Sequence, residues 1–270
     1  MKVRDFSIGA DPELFLERNG EIISAEGLIG GTKEDPKPIS EEGHCIQEDN
    51  VMVEYNIPPC TSAEDFVAHN EFVLSHLTVL AALQDRARLN FSASAELDKK
   101  YLKTDQSKRF GCEPDFNAWL RDINESPCSR TNLRTCGGHI HVGYENPEVE
   151  TSEKIIKAMD AILGVASINL DTDDRRREMY GKAGAFRFKD YGVEYRSLSN
   201  FWIKSPESMR WAYNKTIEAI ELVNSGLIDE ISEKFGQQIQ TVINSNDKQG
   251  AKALELEIAN VVNINLKKVK

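Results

Sequence analysis

Cysteine is sparse in this chain: its five residues are odd in number, scattered, and free of any Cys-x-x-Cys pair. That excludes a sequence-local structural zinc motif and sets the expectation of a reduced, cytoplasmic chain. Long apolar runs are missing as well. No stretch reads as a bilayer span, and the start, Met1-Lys2-Val3-Arg4-Asp5-Phe6-Ser7, has no apolar stretch of the signal-peptide kind. Basic charge is in deficit, with 33 Lys and Arg against 44 Asp and Glu for a net charge of -11. Such a field repels nucleic acid and anionic membranes, so neither is expected as a partner. Internal repeats and clear linkers are absent too. The 270 residues therefore read as one large core with room for a helical appendage.

Ionisable residues, by contrast, recur at strand spacing. Asp11-Pro12-Glu13-Leu14-Phe15-Leu16, His139-Ile140-His141-Val142 and Val193-Glu194-Tyr195-Arg196 each alternate, so Asp11 with Glu13, His139 with His141 and Glu194 with Arg196 share a face. Leu14, Leu16, Ile140, Val142, Val193 and Tyr195 take the other face. Met52-Val53-Glu54-Tyr55-Asn56-Ile57 repeats the pattern with Glu54 and Asn56. Carboxylates and imidazoles gathered on one sheet face stay mutually repelled or unpaired without a cation among them, which points to metal-dependent chemistry.

Between these strands, Arg18-Asn19-Gly20-Glu21 predicts a hairpin turn. The Gly27 to Pro38 loop is no phosphate-cradling motif, because Pro36 and Pro38 stop the helix that must follow one; it reads equally as a surface loop or a substrate lid. A helix is expected from Thr61, capped by Thr61-x-x-Glu64, with Phe66, Val73, Leu77, Leu80 and Gln84 on its buried stripe. His69 and His76 on it read as ordinary helix residues. Leu89 to Ala95 alternates like a strand, and Tyr101 to Pro127 reads as irregular. A second helix spans about Thr151 to Leu170 with Ile155, Met159, Ile162, Leu163 and Ala166 inward. Asp174 to Arg187 concentrates cations just before the Glu194 strand, which suggests an anion to bind there. Ser205-Pro206 opens a third helix. The expected fold is α+β: a mainly antiparallel sheet, helices on one face and an open catalytic face, with a core over residues 1–205 and a C-terminal helical segment over 206–270 packed on it.

Five segments together resemble the phage-type carboxylate-amine ligases, the type 2 COOH-NH2 ligase family of the glutamine synthetase and γ-glutamylcysteine synthetase superfamily. They are Gly9-Ala10-Asp11-Pro12-Glu13, Gln47 to Pro59, Phe110-Gly111-Cys112-Glu113-Pro114-Asp115, Gly137-Gly138-His139-Ile140-His141-Val142-Gly143 and Tyr191-Gly192-Val193-Glu194-Tyr195-Arg196. The resemblance implies a glutamine synthetase-like catalytic domain. It also implies ATP-dependent phosphorylation of a carboxylate, with the acyl phosphate then displaced by an amine, and two or three Mg²⁺ (or Mn²⁺) ions. On it, Asp11, Glu13, Glu54, His139 and Glu194 are the metal ligands. His141, Arg187 and Arg196 are catalytic, and Arg187, Arg196 and Lys182 are candidates for the nucleotide phosphates. Asp49 competes with Glu54 for the second-strand position, since within one strand the two have opposite parity and meet only across a bulge or bend.

The substrates expected are a small-molecule or peptide carboxylate and an amine. Arg175, Arg176 and Arg177 read equally as a solvated charge run or as functional, Cys136 as a packing residue, and Asp115 as a turn residue before an amine contact. A metallohydrolase needs further histidines from later strands, and only His44, His69 and His76 remain, all upstream. A phosphagen-kinase-like phosphotransferase and a non-catalytic metal- or nucleotide-binding descendant stay as alternatives.

Overall fold

The computed structural model describes residues 2–84, 86–108, 115–124 and 132–268. Along the chain the elements are β1 (Ser7–Arg18), β2 (Glu21–Ile23), β3 (Lys37–Pro38), β4 (Cys45–Asp49), β5 (Met52–Asn56), α1 (Ala63–Leu83), β6 (Arg88–Asn90), β7 (Ser94–Glu96), α2 (Asp105–Lys108), β8 (Phe116–Asn117), β9 (Asp122–Ile123), β10 (Leu133–Thr135) and β11 (Gly138–Gly143). They continue as α3 (Val149–Met159), α4 (Val165–Leu170), α5 (Arg176–Met179), β12 (Ala185–Lys189), β13 (Gly192–Tyr195), α6 (Pro206–Ser225), α7 (Leu227–Ser245) and α8 (Lys248–Lys268).

The main sheet is ordered β3-β4-β5-β1-β11-β13-β12-β8-β9, with β2 and β6 added beside β1. Every pairing among these described strands is antiparallel. The expected α+β class holds. Strand β1 is long enough to serve several partners. Its first half pairs with β11, Glu13 and Leu14 pair with β5, and its last residues pair with β2 and β6. The β1–β2 turn is made by Asn19 and Gly20, both at positive φ, as the Asn-Gly dipeptide requires.

One face of the sheet is dry. Leu14, Leu16, Ile140, Val142, Val193 and Tyr195 are buried there with Phe66, Leu77, Ile155, Met159 and Trp202 in one continuous core. The helices supply the other half of that layer: α6 packs on α1 and α3, and α8 packs on α4 and α7. The opposite face is less open than expected. A ribbon of β7 paired with β10 and a small apolar cluster of Phe15, Val51, Met52, Leu97 and Cys136 close part of it, which is where Phe15, in phase with Asp11 and Glu13, is buried.

Several expected boundaries move. Helix α1 is capped by Ser62, not Thr61: its hydroxyl accepts from the Asp65 amide at 3.0 Å and donates to the Asp65 carboxylate at 2.7 Å. Gln84 lies beyond the helix as its C-cap. By length and composition Ala63–Leu83 is apolar enough to cross a membrane, contrary to the reading that no run is. One stripe of it lies in the core, while Val79 and Leu83 are 61% and 78% exposed. The Leu89–Ala95 strand is really β6 and β7, belonging to different sheets. The helix from about Thr151 is interrupted by a π-helical turn at Asp160–Gly164, where Asp160 accepts from Trp119 Nε1 (2.7 Å), Tyr195 OH (2.8 Å) and Ser197 Oγ (3.2 Å) as well as the Gly184 amide. The insertion sits where that buried carboxylate meets its donors. Helix α6 begins as expected, with Ser205 as N-cap and Pro206 in the first turn.

Candidate active site

The site is a row of cross-strand pairs running from β5 to β12. Glu54 stands opposite Glu13, Asp11 opposite His139, and Glu194 opposite both His141 and Arg187. Antiparallel partners share a face, so the register alone brings these side chains into one cavity of about 290 Å³, which they line.

The hairpin β4–β5 brings both Asp49 and Glu54 to the cavity. Asp49 does not share a strand with Glu54; the chain reverses at Asn50, which has positive φ, and Asp49 then lies opposite Met52 while Gln47 lies opposite Glu54. Parity restarts across such a turn, so both carboxylates face the cavity. Glu13, Asp49 and Glu54 form a group whose ligand oxygens lie within 4.8 Å of one another. Its electrostatics follow from crowding. Burial and then repulsion from Asp11, Asp49 and Glu13 push the Glu54 carboxyl well above its ordinary range, against a single hydrogen bond from Gln47 Nε2 at 2.8 Å. Burial raises Glu13 too, opposed by His139.

A second group joins Asp11, His141 and Glu194. His141 Nε2 lies 3.1 Å from Asp11 Oδ1, while His139 Nδ1 lies 3.2 Å from the same oxygen and 3.6 Å from Glu194. His139 is also 3.3 Å from Arg196 Nη1, and both imidazoles stand beside the two carboxylates. Tyr191 OH fixes the other His141 nitrogen at 2.7 Å. Burial raises the Asp11 carboxyl, but His141 and His139 more than offset it and hold it well below its ordinary value. Burial and Asp11 likewise push Glu194 up, yet Arg196 and the two histidines bring it down to about 2. Gly137 makes room for this arrangement, since a Cβ there would overlap the His139 ring.

Cations crowd Glu194: Arg196 pairs with it directly, Lys189 Nζ lies 2.7 Å away and Arg187 4.0 Å away. Asp115 holds Arg196 Nε at 2.7 Å and Arg187 Nε at 3.6 Å. Asp115, expected in a turn, thus also pairs with two cavity arginines. Lys182 is not among the cavity-lining residues; its carbonyl accepts from Ser197 Oγ at 2.8 Å. Sequence reading also missed Lys189 and Tyr191, whose placement follows from the β12–β13 hairpin, and Lys33 and Pro36, which bring the Gly-Pro loop to the cavity wall. That loop is pinned by Glu48, whose carboxylate accepts from the amides of Gly27, Ile29 and Gly30 at 2.7 to 2.9 Å. His44 and His69 bond to each other at 2.7 Å outside the cavity lining. Cys136 is a buried packing residue, and Cys112, with the rest of Phe110 to Pro114, lies outside the described residues.

The donor set fits divalent metal. Asp11 Oδ1, Glu194 Oε2 and His141 Nε2 are buried atoms without a hydrogen bond of proper geometry, and carboxylates with one imidazole suit Mg²⁺ or Mn²⁺.

Comparison with known proteins agrees with the motif reading over part of the chain. Residues 126–225 match the family model described as Phage phiEco32-like COOH.NH2 ligase-type 2, a stretch that holds the Gly137–Gly143 and Tyr191–Arg196 motifs. No curated protein matches. Among solved structures, a bifunctional glutathione synthetase from Pasteurella multocida is similar at 11% identity and a TM-score of 0.42, covering 94% of this chain and 49% of that one. The chain thus spans about half the length of that structure.

Proposed function

We propose that this protein is an ATP-dependent carboxylate-amine ligase, forming an amide through an acyl phosphate on a glutamine synthetase-type sheet. The observation that carries the reading is the row of cross-strand pairs, which gathers two carboxylate groups on one side of a cavity and guanidinium and ammonium groups on the other. The ligase-family match over residues 126–225 supports it. The acid's carboxylate attacks the γ-phosphorus and ADP leaves; the amine then attacks the acyl carbon and inorganic phosphate leaves.

Glu13, Asp49 and Glu54 would hold one Mg²⁺ or Mn²⁺ ion, and Asp11, His141 and Glu194, with His139 beside them, would hold another. Bound there, such ions supply charge neutralisation at the transferring phosphoryl group. Arg196 and Arg187, oriented by Asp115, present fixed donors to the phosphoryl oxygens. Losing one clamp of this kind costs roughly 3 kcal/mol of transition-state stabilisation, about a hundredfold in rate. Lys189, ion-paired with Glu194, adds a further positive charge beside it. The cavity walls, including Lys33 and Pro36 of the pinned loop, exclude water that would hydrolyse the acyl phosphate. The acid and amine belong to small molecules or peptides.

Isothermal titration of ATP with and without Mg²⁺ or Mn²⁺, on wild type and Glu194→Ala, tests the reading. The expected result is metal-dependent ATP binding in the wild type that the variant loses. Equal ATP binding by both proteins, or none by the wild type under any metal condition, overturns it.

A further inference from the structure

A cluster of metal-binding side chains lies outside the catalytic cavity, where the β3–β4 connection meets the first half of α1. Glu42, His44 and His69 place one ligand atom each within 4.8 Å of one another, and none of the three lines the cavity. The imidazoles come from the two sides of the contact, His44 from the residue before β4 and His69 from α1. Their ring nitrogens face each other, His44 Nε2 lying 2.7 Å from His69 Nδ1. His44 is 1% exposed. Glu42, with an Oε2 3.9 Å from His44 Nδ1, is 71% exposed and can swing toward the rings. His76 is excluded, because it lies two turns beyond His69 on α1, about 10 Å along the axis.

A hydrogen bond between the rings accounts for the 2.7 Å contact, but not for what surrounds it. Ser40 Oγ lies 2.6 Å from His44 Nδ1 and is itself held by the Glu42 and His44 amides at 3.2 and 3.4 Å. A fixed oxygen on the far nitrogen is the outer contact that sets the tautomer and orientation of a metal-bound imidazole. The Phe72 ring packs on His44 with centroids 4.7 Å apart, which gives the pair an apolar wall. A metal ion takes the place of the proton between the rings. The ring that gives up that proton regains one on its other nitrogen, and for His44 the new N–H is donated to Ser40 Oγ. Two nitrogens on one tetrahedral ion stand about 3.3 Å apart, so the gap must open by roughly 0.6 Å, a movement within reach of half-buried His69.

We propose that Glu42, His44 and His69 form a second metal site, for a borderline divalent transition metal such as Zn²⁺, with a fourth, outward position left to water. Two imidazoles and one carboxylate select such ions over Mg²⁺, which separates this site from the carboxylate-rich cavity. The ion clamps the β3–β4 hairpin onto α1, and β4 of that hairpin carries Gln47 and Asp49 to the cavity wall. The site stands independently of the ligase reading.

Co²⁺ is the probe, titrated into untagged protein in excess Mg²⁺, with its visible absorption and bound ratio read for wild type, His69→Gln, Glu42→Gln, Ser40→Ala and the cavity variant His141→Gln. The wild type is expected to bind one Co²⁺ more than His69→Gln and to show the intense bands of a four-coordinate ion. His141→Gln should keep both. Ser40→Ala, which removes only the outer contact, should weaken binding by roughly ten- to a hundredfold. If His69→Gln does not fold, Glu42→Gln decides, because its exposed side chain contributes little to the core: its Co²⁺ affinity should fall and its bands should weaken. Equal uptake and equal bands in wild type, His69→Gln and Glu42→Gln overturn the site. So does a signal that His141→Gln abolishes, which moves the ion to the cavity, and so does binding only at roughly millimolar Co²⁺, which marks an adventitious ion only.

Discussion

Replacing Glu54 with glutamine should make the metal-free protein more stable, not less. Its carboxyl is 7% exposed and shares a space with Glu13 and Asp49 in which the ligand oxygens lie within 4.8 Å. One such pair of unit charges repels by about 3 kcal/mol at an effective dielectric near 20. Proton bookkeeping gives the same direction. The carboxyl ordinarily titrates at 4.5 and is held well above that value in the folded chain, so holding it there costs folding free energy that grows as pH rises past the ordinary carboxylate range. The sign follows directly: a raised folded pKa favours folding at low pH and opposes it as pH rises. The gain in Glu54→Gln should therefore vanish below about pH 4 and grow as pH rises above the ordinary carboxylate range.

Glutamine keeps an oxygen to accept the Gln47 amide, so packing is conserved. The expected gain of about 2 kcal/mol corresponds to roughly 4 to 8 °C in midpoint for a chain of this size. Calorimetry in chelator at several pH values, then with Mg²⁺ and ADP, reads both halves. The variant should start higher and gain little from metal. A lower midpoint than wild type in chelator, or an undiminished response to Mg²⁺, would refute the reasoning that these carboxylates are mutually repelled and await a cation.

Glu194 should behave in the opposite way, although it sits in the same cavity. Arg196 and Lys189 pair with it and its carboxyl is held down to about 2. Glu194→Gln should therefore cost about 3 kcal/mol at pH 7, a loss that fades as pH falls from about 4.5 through about 2; urea unfolding showing a stabilised variant would contradict this. Asp160, away from the cavity, gives a third sign. Burial raises it to about 6 despite its four donors, so its stabilising contribution is present below about pH 4 and lost as pH rises through 6, a swing of about 3 kcal/mol. The stability difference between Asp160→Asn and wild type should accordingly shift in favour of the variant by about that amount between pH 4 and pH 7. A difference that stays flat over that range would show that the carboxylate remains ionised throughout.

How much of this was legible in the sequence depends on the range of the interaction that fixed it. Alternation placed Asp11, Glu13, His139, His141 and Glu194 on one face because a strand's parity is local, and Ser205-Pro206 marked its helix because a cap is local. What stayed hidden needed a partner strand or a distant atom. Asp49 stayed in competition with Glu54 because only the turn at Asn50, which restarts the parity, shows that both reach the cavity. Lys182 and Lys189 are equally basic on paper, and only the β12–β13 register separates a cavity residue from one outside it. The Arg175–Arg177 run carries the same lesson furthest, since three identical side chains meet three different fates. One pairs with exposed Glu96, one approaches buried Asp171, and one is closed over by Gly181 beside the cavity. No property of the tripeptide distinguishes them; the difference is the charge each finds opposite it once the chain is folded.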